Sequence, residues 1–143
     1  MKRALALILA LVLCLALVAC GNEEKEEAGN PTNAANSKIV EFMRENGDEF
    51  VESLESGFAT SGMTCKSSYK VVGNGLEVTI CINELNNVDS ATKKAMQDAY
   101  TAMASTFEQA LKMFQQEVPE LKSMTLRICE KDGDLLADVK VGK

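Results

Sequence analysis

The sequence contains no histidine among its 143 residues. Without histidine, the chain lacks the side chain that usually serves as general base near neutral pH, and every histidine-dependent triad is excluded. The absence of histidine also removes a common zinc ligand. No Cys-x-x-Cys pair offers the spacing of a structural zinc site or of a redox catalyst. The sequence therefore predicts no metal and no cofactor, and it favours a protein that is not an enzyme.

Other catalytic patterns are present only as fragments. Residues 67–70 and 90–93 match the Ser-x-x-Lys element of penicillin-recognising enzymes, but Ser-Asp-Asn is absent and residues 131–133 lack the threonine of Lys-Thr-Gly. The carboxylates are scattered, as at Glu77, Glu84 and Asp89, and no pattern among them places a pair ~5–10 Å apart, as glycoside hydrolysis requires. The Gly-Asn-Gly at residues 73–75 indicates a hairpin turn and not a phosphate-binding loop. No catalytic residues are predicted.

Basic residues are in the minority, with 15 Lys and Arg against 21 Asp and Glu, a net charge of −6. Nucleic acid is therefore excluded as an expected partner, because its affinity for proteins comes mainly from phosphate neutralisation by Lys and Arg. An acidic chain is also repelled by anionic lipid headgroups. Any attachment to a membrane must come from another source.

The first 19 residues have the parts of an export signal. Lys2 and Arg3 precede an apolar run from Ala4 to Val18. Leu-Val-Ala-Cys at residues 17–20 resembles the lipobox of bacterial lipoproteins, which implies removal of residues 1–19 and a diacylglyceryl group on Cys20. The alternative is an uncleaved membrane helix, but the run is shorter than the ~18–20 residues that span a bilayer. The resemblance implies a lipid-anchored protein on the outer face of the cytoplasmic membrane.

The remainder divides into a tether and one domain. Residues 20–36 comprise the acylated cysteine and an acidic segment without aromatic or large aliphatic side chains, which predicts disorder. The acidic run could instead bind a ligand, but charge runs are usually solvated spacers. Residues 37–143 have the length of a single domain.

Helical periodicity occurs in two parts of this domain. Apolar spacing predicts short helices at residues 37–45 and 48–60, with Ser37 as N-cap and a kink or turn at Gly47. A stripe of Met and aromatic residues predicts one long helix over residues 89–118.

Two hairpins flank the long helix. Asn74-Gly75 predicts a type I′ turn that places Val71 opposite Val78, and Asp132-Gly133 predicts a second turn with Leu135 on the buried face. Each hairpin is apolar on one side only. The predicted fold class is α+β, in the order α-β-β-α-β-β, with a four-stranded, mainly antiparallel sheet of two hairpins covered on one face by helices.

Three cysteines remain once the signal is removed and Cys20 is acylated. Strand alternation places Cys65 inward and both Cys81 and Cys129 on the outer face. If the strands of the latter two are neighbours, a Cys81–Cys129 disulfide is geometrically allowed, since it needs Cα atoms within ~7 Å. Export would permit this bond. Three free thiols in a reducing niche are an equal alternative.

The order of these features resembles a known family. Lipobox, acidic spacer, helix, Gly-Asn-Gly hairpin, a long helix beginning Val-Asp-Ser and an Asp-Gly hairpin are similar to small lipoproteins of Gram-positive bacteria that carry an uncharacterised domain of unknown function. The resemblance covers residues 37–143, including the segments at residues 59–63 and 104–108. It implies no activity that could be carried over, and the three cysteines depart from its pattern.

The expected function is a non-catalytic binding or interaction module at the cell envelope. Its partners would be the membrane, through the anchor on Cys20, and an unknown protein or small ligand. Such a module predicts an exposed apolar surface or an exposed sheet edge. The alternative is a cell-envelope enzyme or enzyme inhibitor, which would need a cleft with converging polar groups.

Overall fold

A computed structural model describes residues 35–143, which form three helices and four strands. The elements are α1 Ser37–Thr60, β1 Cys65–Val72, β2 Gly75–Ile82, α2 Ser90–Ala102, α3 Ala104–Glu117, β3 Ser123–Glu130 and β4 Leu135–Gly142. This arrangement confirms the α+β class. The order is α-β-β-α-α-β-β, with one more helix in the crossover than the sequence predicts.

The sheet is mixed, so the prediction of a mainly antiparallel sheet is wrong. Its strand order is β1-β2-β3-β4, in which β1–β2 and β3–β4 are antiparallel and β2–β3 are parallel. The two hairpins are joined by α2 and α3, and a helical crossover of this kind returns the chain to start its next strand in the same direction as the last. The parallel ladder thus lies at the centre of the sheet.

Helix α1 runs unbroken through Gly47, which corrects the predicted kink or turn. A Cβ at this position would lie closer than 3.0 Å to the ring of Tyr69, and the Tyr69 hydroxyl donates to the Met43 carbonyl at 3.1 Å. Glycine is therefore present because β1 packs tightly on the helix. The N-cap is Asn36 and not Ser37, since the Asn36 side chain accepts from the Lys38 backbone N–H at 3.0 Å.

The first hairpin turns one residue earlier than predicted. Gly73 and Asn74 form the turn, and Gly73 has a φ of +57° at the first central position, where type II′ turns favour glycine. Val71 consequently pairs with Leu76 and not with Val78. Each β1 residue thus pairs with a β2 residue two positions away from the predicted one. Every side chain stays on its predicted face, because alternation along a strand has a period of two.

The long helix divides at Met103 into α2 and α3. Asp89 caps α2 as expected and accepts from the Thr92 backbone N–H at 3.1 Å. An unbroken helix over residues 90–117 would be ~42 Å long, whereas an eight-residue strand spans ~27 Å. The break allows both halves to pack against β4.

The second hairpin pairs Ile128 with Ala137 as predicted, but a β-bulge follows between Ile128 and Cys129. Cys129 therefore pairs with Leu135, and Leu136, at 4% exposure, takes the buried place that the sequence assigns to Leu135. The extra residue of a bulge displaces the alternation locally.

The core lies between the helices and one face of the sheet. Phe114 of α3 makes edge-on ring contacts with Phe42 and Phe50 of α1, with centroids 6.3 and 5.7 Å apart. Such edge-on pairs are favourable for aromatic rings. The inward strand positions facing this core include Leu76, Val78, Ile80, Ile82, Leu126, Ile128, Val139 and Val141, all buried. The opposite face of the sheet is not covered by any helix of the described residues.

Candidate functional site on the open face of the sheet

The uncovered side of the sheet, which we call the open face, is polar and charged. Its side chains belong to the alternate strand positions that point away from the core. They include Lys66, Ser68, Lys70, Glu77, Thr79, Cys81, Thr125, Arg127, Cys129, Asp138 and Lys140. Four of them are cationic and two are anionic, in a chain whose net charge is −6. The open face therefore has the opposite charge balance to the protein as a whole.

Two thiols face each other on this surface. Cys81 of β2 and Cys129 of β3 occupy paired positions of the parallel ladder. Both are free thiols, Cys81 half-buried and Cys129 buried at 4% exposure. Burial, together with the charge that the neighbouring Cys81 carries when it ionises, raises the pKa of Cys129 to about 12. The structure thus brings together the two cysteines of the predicted disulfide, and the bond itself stays a prediction.

Cys65 lies on the other face of the sheet, as predicted. Its Sγ is 3.7 Å from the hydroxyl oxygen of Ser67, which also points inward. Burial raises the pKa of the Cys65 thiol to about 11, from an ordinary value of 9.0. A thiol with such a pKa is largely protonated near neutral pH and is a poor nucleophile. Cys65 is a packed side chain and does not belong to the candidate site.

Both edges of the sheet are occupied by polar side chains from helices. On the β1 edge, a carboxylate oxygen of Glu55 accepts from the Ser67 backbone N–H at 2.7 Å. On the β4 edge, the Gln97 amide donates to the Asp138 carbonyl at 2.6 Å and accepts from the Asp138 N–H at 2.9 Å. Free backbone groups at an edge are what an added strand would need. Strand addition is therefore obstructed at both positions.

The expected exposed apolar surface is also missing from the described part of the chain. Val40 of α1, at 43% exposure, is the one large exposed hydrophobic side chain among residues 35–143. Single exposed apolar residues are normal on soluble domains and do not indicate a binding site. The open face is left as the extended surface that could receive a partner.

A groove of about 370 Å³ lies between α3 and the end of β4. It is lined by Glu108, Leu111, Lys112, Gln115, Lys122, Gly142 and Lys143. One carboxylate and three lysines face a wide opening without a buried polar group aimed into it. This groove has no arrangement that would activate a nucleophile.

Sequence reasoning missed the structural role of Glu130. Its carboxylate is 1% exposed and accepts from the backbone N–H groups of Asn87 and Val88 at 2.7 and 2.9 Å. These bonds hold the loop that precedes α2 against the end of β3. The signal was available, because Glu130 is the next inward position after Leu126 and Ile128 on the same strand.

Comparison with protein families identifies the domain. The model of a domain of unknown function, DUF4854, matches residues 41–140. The chain belongs to the DUF4854 family. No curated protein and no solved structure matches it. The family match covers most of the described domain, including β1 to β3, most of β4 and the three thiols, and it assigns no activity.

Among residues 35–143, which include the DUF4854 domain, no three Cys, Asp or Glu side chains are placed to hold a metal ion. The two Ser-x-x-Lys fragments are separated as well. Ser67 lies buried on β1, and Ser90 is the first residue of α2 beside its N-cap Asp89. Each serine has a structural explanation, and they do not share a site.

Cys20 lies outside the described residues, as do the predicted signal and most of the predicted acidic tether. From residue 35 onward, none of the helices is both long enough and apolar enough to cross a bilayer. The acylation of Cys20 and the location it implies therefore remain predictions.

Proposed function

We propose that this chain is a lipoprotein of a Gram-positive bacterium, anchored through Cys20 to the outer face of the cytoplasmic membrane, whose DUF4854 domain is a non-catalytic binding module. The observation that carries the proposal is the sequence of residues 1–20, in which two cations and an apolar run end in Leu-Val-Ala-Cys. Two acyl chains on one cysteine hold a protein stably at a membrane, at ~0.8 kcal/mol for each buried CH₂.

The place where the chain enters the domain supports a tethered arrangement. The Asn36 backbone N–H donates to the Gly73 carbonyl at 2.8 Å, and its side chain bonds to that of Asn74 at 3.2 Å. The domain is thus joined to the upstream segment at the tip of the first hairpin. We propose that the acidic segment upstream of this point is a tether that sets the domain away from the headgroups.

The anchor can be tested with two cysteine variants of the full chain. Expressed in a Gram-positive host fed labelled palmitate, the wild-type protein should incorporate label, remain with the membrane and lose residues 1–19. Cys20→Ala should lose all three properties. Cys14→Ala is the matched control, because it removes a cysteine from the apolar run and should behave as wild type. Label on the Cys20→Ala variant, or an intact Met1 in the wild type, would refute the proposal.

Binding through the open face is supported by its charge. Lys66, Lys70, Arg127 and Lys140 outnumber Glu77 and Asp138 there, while the whole chain is acidic. An acidic protein or small acidic ligand is the partner that such a surface complements, and charge complementarity steers association. Its binding should weaken as salt is raised.

Crosslinking from intact membranes would identify this partner and the surface that it uses. A photo-crosslinking side chain at exposed Ser68, on the open face, should capture it, and the same group at exposed Gln109 on α3 should not. Lys70→Glu should reduce capture, whereas Lys112→Glu, a matched reversal on α3, should leave it unchanged. Equal capture from both crosslinking positions would place the partner elsewhere.

A further inference from the structure

The Cys81–Cys129 pair has the placement that a disulfide requires. The two residues are direct partners in neighbouring strands and point to the same open face. Neighbouring strands lie ~4.8 Å apart, and disulfide-linked Cα atoms are usually ~4.4–6.8 Å apart. The spacing of the two strands therefore falls within the range that a disulfide spans.

The two thiols differ in access. Cys81 is half-buried on the open face, while Cys129 is buried at 4% exposure. An external reagent therefore reaches Cys81 first. The high pKa of Cys129 acts in the same direction, because only a thiolate attacks a disulfide. This asymmetry assigns a different role to each sulfur.

We propose that Cys81 and Cys129 are a reversible dithiol–disulfide couple that exchanges with low-molecular-weight disulfides, with Cys81 as the attacking thiol and Cys129 as the resolving thiol. The inference does not depend on the lipid anchor or on a binding partner, because it concerns two side chains of the described domain.

The exchange balances in two steps. The Cys81 thiolate attacks one sulfur of R–S–S–R, whose S–S bond breaks to release one R–S⁻ and leave a mixed disulfide on Cys81. Once in the mixed disulfide, Cys81 no longer carries the charge that helps to raise the pKa of Cys129. Cys129 then loses its proton to solvent, and its thiolate attacks the Cys81 sulfur and releases the second R–S⁻. The protein loses two electrons and two protons, and the reagent gains both as two molecules of R–SH. Excess R–SH reverses the sequence, since the Cys81 sulfur remains accessible.

Oxidation would join the two halves of the sheet. The parallel β2–β3 ladder is where the hairpin β1–β2 meets the hairpin β3–β4, and the bond would close the loop from residue 81 to residue 129 that contains α2 and α3. Closing a loop of this length restricts the unfolded chain. The oxidised protein should unfold at a temperature on the order of 10 °C higher than the reduced protein.

Peptide mapping can test the couple in the full chain. Trypsin places the cysteines on separate peptides, with Cys81 in residues 71–93, Cys129 in 128–131, Cys65 in 45–66 and both N-terminal cysteines in 4–25. Native reduced protein is incubated with oxidised glutathione, quenched with an alkylating agent and digested. We expect peptide 71–93 linked to 128–131, and loss of this link when reduced glutathione is added. A final product with glutathione on Cys81 and no link would overturn the proposal, as would a link that forms only in denaturant.

Single variants test the two roles. In Cys129→Ala the mixed disulfide should persist on Cys81, and in Cys81→Ala the native protein should react at Cys129 at least about tenfold more slowly than wild type reacts at Cys81. Cys65→Ala is the control and should form the link at the wild-type rate. Thermal unfolding of each variant confirms that it is folded. Equal rates of modification at Cys81 and Cys129 in the two variants would refute the assignment of roles.

Discussion

Replacing Gly47 by alanine tests the tightest contact between α1 and the sheet. Glycine within a helix is normally less favourable than alanine by ~0.8–1 kcal/mol, so the same change at an unobstructed site would stabilise the domain. Here the new Cβ would lie closer than 3.0 Å to the Tyr69 ring, which must move. Moving it breaks the 3.1 Å bond to the Met43 carbonyl, at ~0.5–1.5 kcal/mol, and overpacking typically costs ~1–3 kcal/mol in total. After the gain in helix propensity, we expect a net destabilisation of ~1 kcal/mol.

Denaturant unfolding of the wild type, Gly47→Ala, Tyr69→Ala and the double variant separates the gain in helix propensity from the cost of the clash with the Tyr69 ring. In a Tyr69→Ala background the obstacle is gone, so Gly47→Ala should there stabilise the domain by ~0.5–1 kcal/mol. The sign of the effect should therefore reverse between the two backgrounds. Stabilisation by Gly47→Ala of the same size in both would show that the ring does not require glycine, and that our account of α1 against β1 is wrong.

Three further changes test the core, the buried carboxylate and an inward thiol. Ile80→Ala should cost ~2–5 kcal/mol in unfolding free energy because Ile80 is fully buried, whereas Thr79→Ala on the open face should change it little; similar losses would mean that the faces are misassigned. Glu130→Gln should cost ~1–3 kcal/mol by denaturant unfolding, since an amide can accept from only one of the two backbone N–H groups that it faces; a loss below ~0.5 kcal/mol would contradict this. Because burial raises the pKa of Cys65 from 9.0 to about 11, its contribution to stability is complete below pH 9 and declines as the pH rises towards 11. The unfolding free energy of Cys65→Ala should therefore depend less on pH than that of the wild type between pH 9 and 11. An unchanged slope would be evidence against a raised pKa for Cys65.

The sequence predicts the strands better than it predicts their pairing. Alternation alone identifies the inward positions of β1 to β3, and these hold in the structure even where the hairpin turn lies at Gly73 and Asn74. The parallel ladder could not be predicted, because it depends on β2 and β3 being neighbours in the sheet, and alternation along a strand does not reveal the strand order. Gly47 was misjudged for a related reason. Glycine is a signal both for a helix end and for a close approach, and only the position of Tyr69 distinguishes the two.

For the candidate site too, the sequence predicts local features but not the contacts between distant elements. The faces of Cys81 and Cys129 follow from alternation, but their exact partnership requires both the parallel ladder and its register. The covered sheet edges were not predictable, since Glu55 and Gln97 are ordinary polar residues within helices until β1 and β4 are placed beside them. They occupy backbone groups of Ser67 and Asp138, one residue on each edge strand. In the binding module that we propose, the open face is the extended surface left for a partner, and the thiol pair lies on it.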